Sequence, residues 1–261
     1  MTSSLARGAL PRLPALVYEV CWERLQLGVM PFPLVVFQHG RDGGERAAFR
    51  EQATRWLVEQ GLGDATRIGD ELAEALRTMA DFEVELTTLY SDHSGQYRIG
   101  CFAKEGRVLR VVLHRNTLEL VWVHRAGMPA SVLEVLPPYG PGEPPELRVP
   151  ADPLAEAGQA WALTGRISDG VHRLTQAGAD PGQAERFLDL YASADAIGQA
   201  SALRPDEVTG HRRVAAAPLT FLDTTTGRYA VLREQGWLVL RPAGPDDMLD
   251  QLAGLLTGEF H

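Results

Sequence analysis

Apolar positions along the chain change their spacing twice, and those changes divide it into elements. From Leu16 to Leu27 the residues Leu16, Val20, Cys21 and Leu25 follow one helical face, and Gly28 stands where a helix end favours a left-handed residue. Pro31 and Pro33 then impose an extended stretch. A second helix is predicted from Glu45 to Gln60 with Phe49, Ala53, Trp56 and Leu57 on its apolar face, and a third carries Ile68, Leu72, Ala75, Leu76 and Met79. Beyond it the period falls from 3.6 to 2. Strands are expected at 82–90, 96–104, 107–115 and 118–124, an antiparallel meander. A hairpin turning at Asn116-Thr117 would set Leu113 opposite Leu120 and Val111 opposite Trp122. Pro129 opens a short helix with Val132, Leu133 and Leu136.

The second half repeats helices before strands. Asp152-Pro153 and Asp180-Pro181 each pair a capping carboxylate with a proline suited to the first helical turn. The helices that follow show Leu154 and Trp161, then Val171 and Leu174, then Ala184, Phe187, Leu188 and Tyr191. Strands return at 214–222, 227–234 and 237–241, and Pro245 opens a last helix with Met248, Leu249, Leu252, Leu255 and Leu256 on one stripe. Gly106-Arg107, two strands and a proline-started helix are matched by Gly227-Arg228, two strands and another proline-started helix. The pattern predicts an α+β fold: a central antiparallel sheet built from two pseudo-symmetric halves and flanked by two helical clusters. Residues 1–14 read as a loose arm, 15–136 as the first half, 137–150 as a proline-rich linker and 151–261 as the second half, together one integrated domain.

Composition narrows the functional classes. With 261 residues and 45% hydrophobic content the chain can bury a full core. A net charge of −9 opposes binding to phosphate backbones or anionic lipid, so neither nucleic acid nor membrane is an expected partner. No apolar run nears the roughly 20 residues of a membrane span, and residues 1–15 lack a signal-peptide core, so a cytoplasmic protein is expected. Cys21 and Cys101, both in apolar surroundings, read as buried free thiols.

Catalytic signatures are missing. There is no phosphate-binding glycine motif, nucleophile elbow or HExxH, and no two of the seven histidines (39, 93, 114, 124, 172, 211, 261) stand three or four residues apart. His114 and His124 fall on opposite sheet faces in the predicted hairpin, and Asp246, Asp247 and Asp250 suit a first helical turn. No enzyme activity, cofactor or metal is expected. Large apolar groups on the short helices of the second half, Val171, Leu174, Phe187, Leu188 and Tyr191, divide between core and a partner-binding groove.

The segment VCWERLQLGVMPFPL from Val20 to Leu34 resembles the start of the EspG family, with its helix, glycine and proline-x-proline-leucine. His39-Gly40 followed by Glu45-Arg46, Gly61-Leu62, VPADPLAEAGQAW from Val149 to Trp161, and the stretch from Gly227 to Leu256 continue the likeness in order. The resemblance implies a chaperone of type VII (ESX) secretion that binds the helical tip of PE/PPE heterodimers, keeping them soluble before export; a homodimer is admitted beside it. It places the contacts on the sheet, on the inter-strand loop at Ser91, Asp92 and His93, and on the helices bearing Val171, Leu174, Phe187, Leu188 and Tyr191. Where several members of the family carry a long loop, this chain has only SDHSG, from Ser91 to Gly95. Two other readings are a scaffold or regulator binding another protein, and an enzyme whose polar pocket holds His93 or His114.

Overall fold

The structure is a computed structural model describing residues 10–143, 145–206 and 212–261. The first nine residues of the predicted arm, Pro144 of the predicted linker, and His211 lie outside the described residues. In chain order the first half comprises β1 (Leu13–Pro14), α1 (Ala15–Arg24), α2 (Gly43–Glu59), α3 (Asp70–Ala80), β2 (Val84–Asp92), β3 (Gly95–Lys104), β4 (Arg107–His114), β5 (Thr117–His124) and α4 (Met128–Leu133). The second comprises β6 (Leu147–Pro150), α5 (Leu154–Thr164), α6 (Ile167–Gln176), α7 (Pro181–Ala192), β7 (Ala196–Pro205), β8 (Arg212–Val214), β9 (Leu219–Thr224), β10 (Gly227–Glu234), β11 (Trp237–Pro242) and α8 (Pro245–Thr257). Apart from β8, the two lists match element for element.

The strands form one sheet in the order β1-β5-β4-β3-β2-β7-β9-β10-β11-β6, with β8 on β7. Its centre is the antiparallel pair β2 and β7, in register from Glu85↔Leu203 to Ser91↔Ile197, so an approximate twofold runs between them. Because side chains alternate along a strand, the registers assign every residue to a face. On one face Leu86, Tyr90, Cys101, Ala200, Ala202 and Phe221 meet Met128 and Val132 of α4 and Met248 and Leu252 of α8, a core shared by both halves. On the other, α1–α3 cover Phe102, Leu109, Val111 and Leu120, while α5–α7 cover Leu147, Val149, Leu222, Tyr229 and Leu240. This is the predicted architecture. Both cysteines are buried and free, and no helix among the described residues is long and apolar enough to cross a membrane.

Several expectations are corrected. The last part of the predicted arm is anchored: Leu10 and Leu13 are buried, and Leu13 pairs with Leu118. The first helix ends at Arg24 rather than Leu27, since Gln26 already has a positive φ. The linker contains β6, which pairs with β11. Asp152 does not cap α5; its carboxylate meets Arg233 at 2.8 Å. Asp180 does cap α7, accepting from the Gln183 N–H. The strand predicted at 214–222 divides around Pro218 into β8 and β9. The β4–β5 turn falls on Arg115 and Asn116, both at positive φ as a two-residue hairpin of the primed type needs. Leu113 therefore pairs with Leu118 and Val111 with Leu120; a shift of two residues leaves every side chain on its predicted face.

A buried polar group joins the halves on the α4–α8 face. The fully buried Asp223 of β9 accepts from Nε and Nη2 of Arg228 at 2.6 and 2.8 Å, and from the Tyr90 hydroxyl of the central strand β2 at 2.8 Å. Arg228 Nη2 also donates to the Pro137 carbonyl at 3.2 Å, tying the connection after α4 to the same group.

Candidate functional site

On the face carrying α1–α3 and α5–α7, part of the sheet centre belongs to neither helical core. Leu89 and Ser91 of β2 stand there beside Ile197, Gln199 and Ser201 of β7, bordered by Arg98 of β3, Thr220 of β9, the buried Thr87, and Leu203, which packs on the α1–α3 core. Ile197 is 40% exposed, Ser91 and Gln199 are exposed, and Leu89, Arg98, Ser201, Leu203 and Thr220 are half-buried. The result is a strip of open sheet between two helical walls, apolar at Leu89 and Ile197 and edged with hydrogen-bonding groups.

The strip is open because neither helical core on this face includes Leu89, Ile197 or Gln199, and the opposite side of β7 is made of small residues. Ala196, Gly198, Ala200 and Ala202 point towards α4 and α8, and a Cβ at Gly198 would lie 1.9 Å from Cζ of Phe221. The bulk of the core comes from Phe221, Tyr90 and α8. The larger members of β7 on the other side are Ile197 and Gln199, which are exposed, and Leu203, which packs against the α1–α3 core.

One wall is the loop between α1 and α2, which is seated on β3. Leu34 is buried against Gly100, whose absent side chain leaves the room: a Cβ there would lie 3.1 Å from Leu34 Cδ1. Arg98 Nη1 donates to the Val35 carbonyl at 2.8 Å. At its far end the loop is fixed by Glu19 of α1, which accepts from the His39 N–H and meets His39 Nδ1 at 2.6 Å, and which pairs with Arg46; Glu23 in turn joins Arg46 and Arg50. The anchored loop presents Val29, Phe32, Val35 and Phe37 to solvent, Phe37 at 90% exposure. The second half contributes an exposed Leu163 and the Tyr191 ring, 39% exposed.

Where the α1–α3 wall closes over β2, Glu85 is buried completely. Among the described residues neither carboxyl oxygen has a hydrogen-bond partner, and the Tyr18 hydroxyl beneath α1 has none either. Burial pushes the Glu85 carboxyl up to about 8, with Arg212 pulling modestly the other way. The folded protein therefore holds a proton at Glu85 between about pH 4.5 and 8 that the unfolded chain has released, so stability falls as pH rises through that window. Glu85→Gln is expected to stabilise the protein most at about pH 8 and above, by on the order of 4–5 kcal/mol, and little at pH 4.5. Melts of both proteins across this range check it; parallel pH profiles would refute the assignment.

The predicted contact residues separate. Leu174, Phe187 and Leu188 lie in the core beneath α5–α7, at 0%, 0% and 3% exposure, and offer a partner no surface in this packing. Their helices cover Leu147, Val149, Leu222 and Tyr229, which need those side chains more than a groove does. Phe187→Asp would set a carboxylate in that core, a loss of fold rather than of a contact face. Val171 is half-buried against the same cluster. Tyr191 is accessible, as are Ser91 and His93 at the end of β2, while the Asp92 carboxylate is turned onto the Ser94 N–H at 2.7 Å.

Sequence reasoning passed over Leu89, Ile197 and Gln199, and the loop residues Phe32 and Phe37. The alternation of small and large residues in AIGQASAL, from Ala196 to Leu203, is the signal that marks the strip. His114, one of the two histidines on which an enzymatic reading rested, stacks on Tyr97 at 3.9 Å on the opposite sheet face. The cavity of about 470 Å³ beside it is lined by ion pairs, Arg12 with Glu119 and Arg110 with Glu134. Among the described residues no group of three or more histidine, cysteine, aspartate or glutamate side chains is placed to hold a metal ion.

The sequence model of the EspG family matches residues 14–254. Fourteen chains of solved structures resemble this one. Among them is the type VII secretion system chaperone EspG5 of Mycobacterium tuberculosis, solved in complex with a PE25–PPE41 dimer. It is 15% identical, with a TM-score of 0.74 over 96% of this chain and 98% of that one. No curated protein matches the sequence.

Proposed function

We propose that this chain, which belongs to the EspG family, is a cytoplasmic chaperone that receives the apolar helical tip of a PE/PPE-type secretion substrate on the open strip of its central sheet. The observation that carries this reading is the strip itself, a partly exposed apolar sheet centre between two helical walls. Exposed apolar surface rimmed by polar residues marks an interaction site. The match in fold to EspG5, which was solved with PE25–PPE41, supports the class of client.

Energetically the strip suits transient holding. Burying one or two aliphatic client side chains against Leu89 and Ile197 is worth about 1.5–3 kcal/mol each before ordering costs. Ser91, Gln199 and Thr220 supply hydrogen-bonding groups that let the surface return to water after release. Such a surface shields a client without trapping it.

Co-expression with PE/PPE-type pairs encoded beside this chain, followed by size exclusion with light scattering, tests the reading. A stoichiometric complex is expected, and the scattering mass of the free chain reads any self-association. Failure of every such pair to co-elute would reject the chaperone role in favour of a scaffold for another protein.

A further inference from the structure

Beside the strip lies a feature that an apolar client tip does not account for. A cavity of about 490 Å³ opens between the α1–α2 loop and the tips of β3 and β4, lined by Val35, Phe37, His39, Gln96, Arg98 and Arg115 among others. In a chain of net charge −9, no aspartate or glutamate among the described residues lines it. His39 is committed to Glu19. The two guanidinium groups are different. Arg98 donates to the Gln96 side-chain oxygen and the Val35 carbonyl, and Arg115 donates twice to the Ser94 carbonyl. These neutral acceptors orient both groups, and among the described residues neither guanidinium forms an ion pair, although Arg115 also borders the cavity that holds Glu119 and Glu134. Asp92, the acid nearest in the β2–β3 hairpin, accepts from Ser94 N–H within its own turn.

The cavity is continuous with the strip, because Arg98 borders both: it pairs across the sheet with Leu89 and holds the loop at Val35. We infer that this cavity is a second subsite for the same partner, and that it takes an acidic segment in which a carboxylate adjoins an aliphatic or aromatic side chain. The carboxylate would meet Arg98 and Arg115, whose planar groups suit two-point recognition, while the apolar neighbour packs on Phe37 and Val35. This rests on the chaperone reading and deepens it. The apolar strip gives a client affinity with little discrimination, and a charged subsite adds selection and faster association.

The test uses the PE/PPE-type pair that co-elutes with the chain. Its affinity and association rate are measured at low and high salt against wild type, the double variant Arg98→Gln/Arg115→Gln, Arg115→Glu, Phe37→Ser and, as the strip control, Ile197→Asp. The double variant is expected to bind at least about tenfold more weakly, with a flattened salt dependence, and Arg115→Glu more weakly still than the neutral change. Phe37→Ser, at a side chain with almost no packing, is expected to weaken binding with unchanged melting, which separates a lost contact from a loosened loop. Pocket variants that bind as wild type while Ile197→Asp does not would overturn the subsite and leave the chaperone reading standing. If no pair co-elutes, both fall together.

Discussion

Replacing Ile197 by aspartate is expected to abolish capture of a PE/PPE-type client while the protein stays folded. Ile197 is 40% exposed on the open face, paired across the central strands with Ser91. A carboxylate there remains hydrated in the free protein, so the cost to folding is limited to a lower strand propensity, about 1 kcal/mol at most. In the complex the same carboxylate would be covered by apolar client surface with no cation beside it. The loss of one buried aliphatic side chain, about 1.5–3 kcal/mol, then adds to the desolvation of a charge, and affinity should fall by roughly a hundredfold or more. Titration of the client with wild type and variant reads this directly. Undiminished binding by a folded Ile197→Asp protein would remove the strip from the interface. Leu89→Asn, on the neighbouring strand and without a charge that Arg98 opposite it could pair, should also weaken binding if the strip acts as one surface.

The second large effect falls on stability. Asp223→Ala is expected to lower the stability by about 3–5 kcal/mol, because it leaves Arg228, 4% exposed, as an uncompensated buried charge and takes the acceptor from the Tyr90 hydroxyl. For a chain of this size that corresponds to a fall in melting temperature of about 6–20 °C. The change acts where β2 meets the second half, so both halves should melt earlier and together. A double replacement, Asp223→Leu with Arg228→Leu, removes the orphaned charge and should recover part of the loss. A shift of under about 2 °C for Asp223→Ala would show that water or rearrangement satisfies Arg228 without its partner.

Much of the fold was legible because it rests on local signals. The strong stripes of α3 and α8, the alternation in β3, β4 and β5, and the repeated glycine-arginine hairpin gave the two halves and their order. The elements that escaped are those whose residue types contradict their local preference. Strand β7, one of the two strands at the centre of the sheet, reads AIGQASALRP and has few of the β-branched and aromatic residues that advertise a strand. It is a strand because Phe221 and α8 leave room only for small side chains on one side, a demand set by distant residues. Strand β6 was hidden for a related reason, since prolines suggest a linker but are tolerated at a sheet edge.

The candidate site divides along the same line. Large apolar residues on α6 and α7 are conspicuous in sequence, yet the ones with most apolar surface, Leu174, Phe187 and Leu188, went to the core for that very property. Tyr191, Ser91 and His93 remain accessible, while Ile197 and Leu89 were inconspicuous among small and polar neighbours. By itself the sequence determined the class of fold, the duplication, the two buried thiols and the likeness to the EspG family, all of which depend on periodicity and on residues close along the chain. Only the tertiary structure decided which apolar side chains face a partner, because exposure is set by which helices reach over a side chain's own face of the sheet. It alone brought Arg98, Arg115 and Phe37 around one cavity from three separate segments, since proximity across a sheet leaves no trace in local spacing.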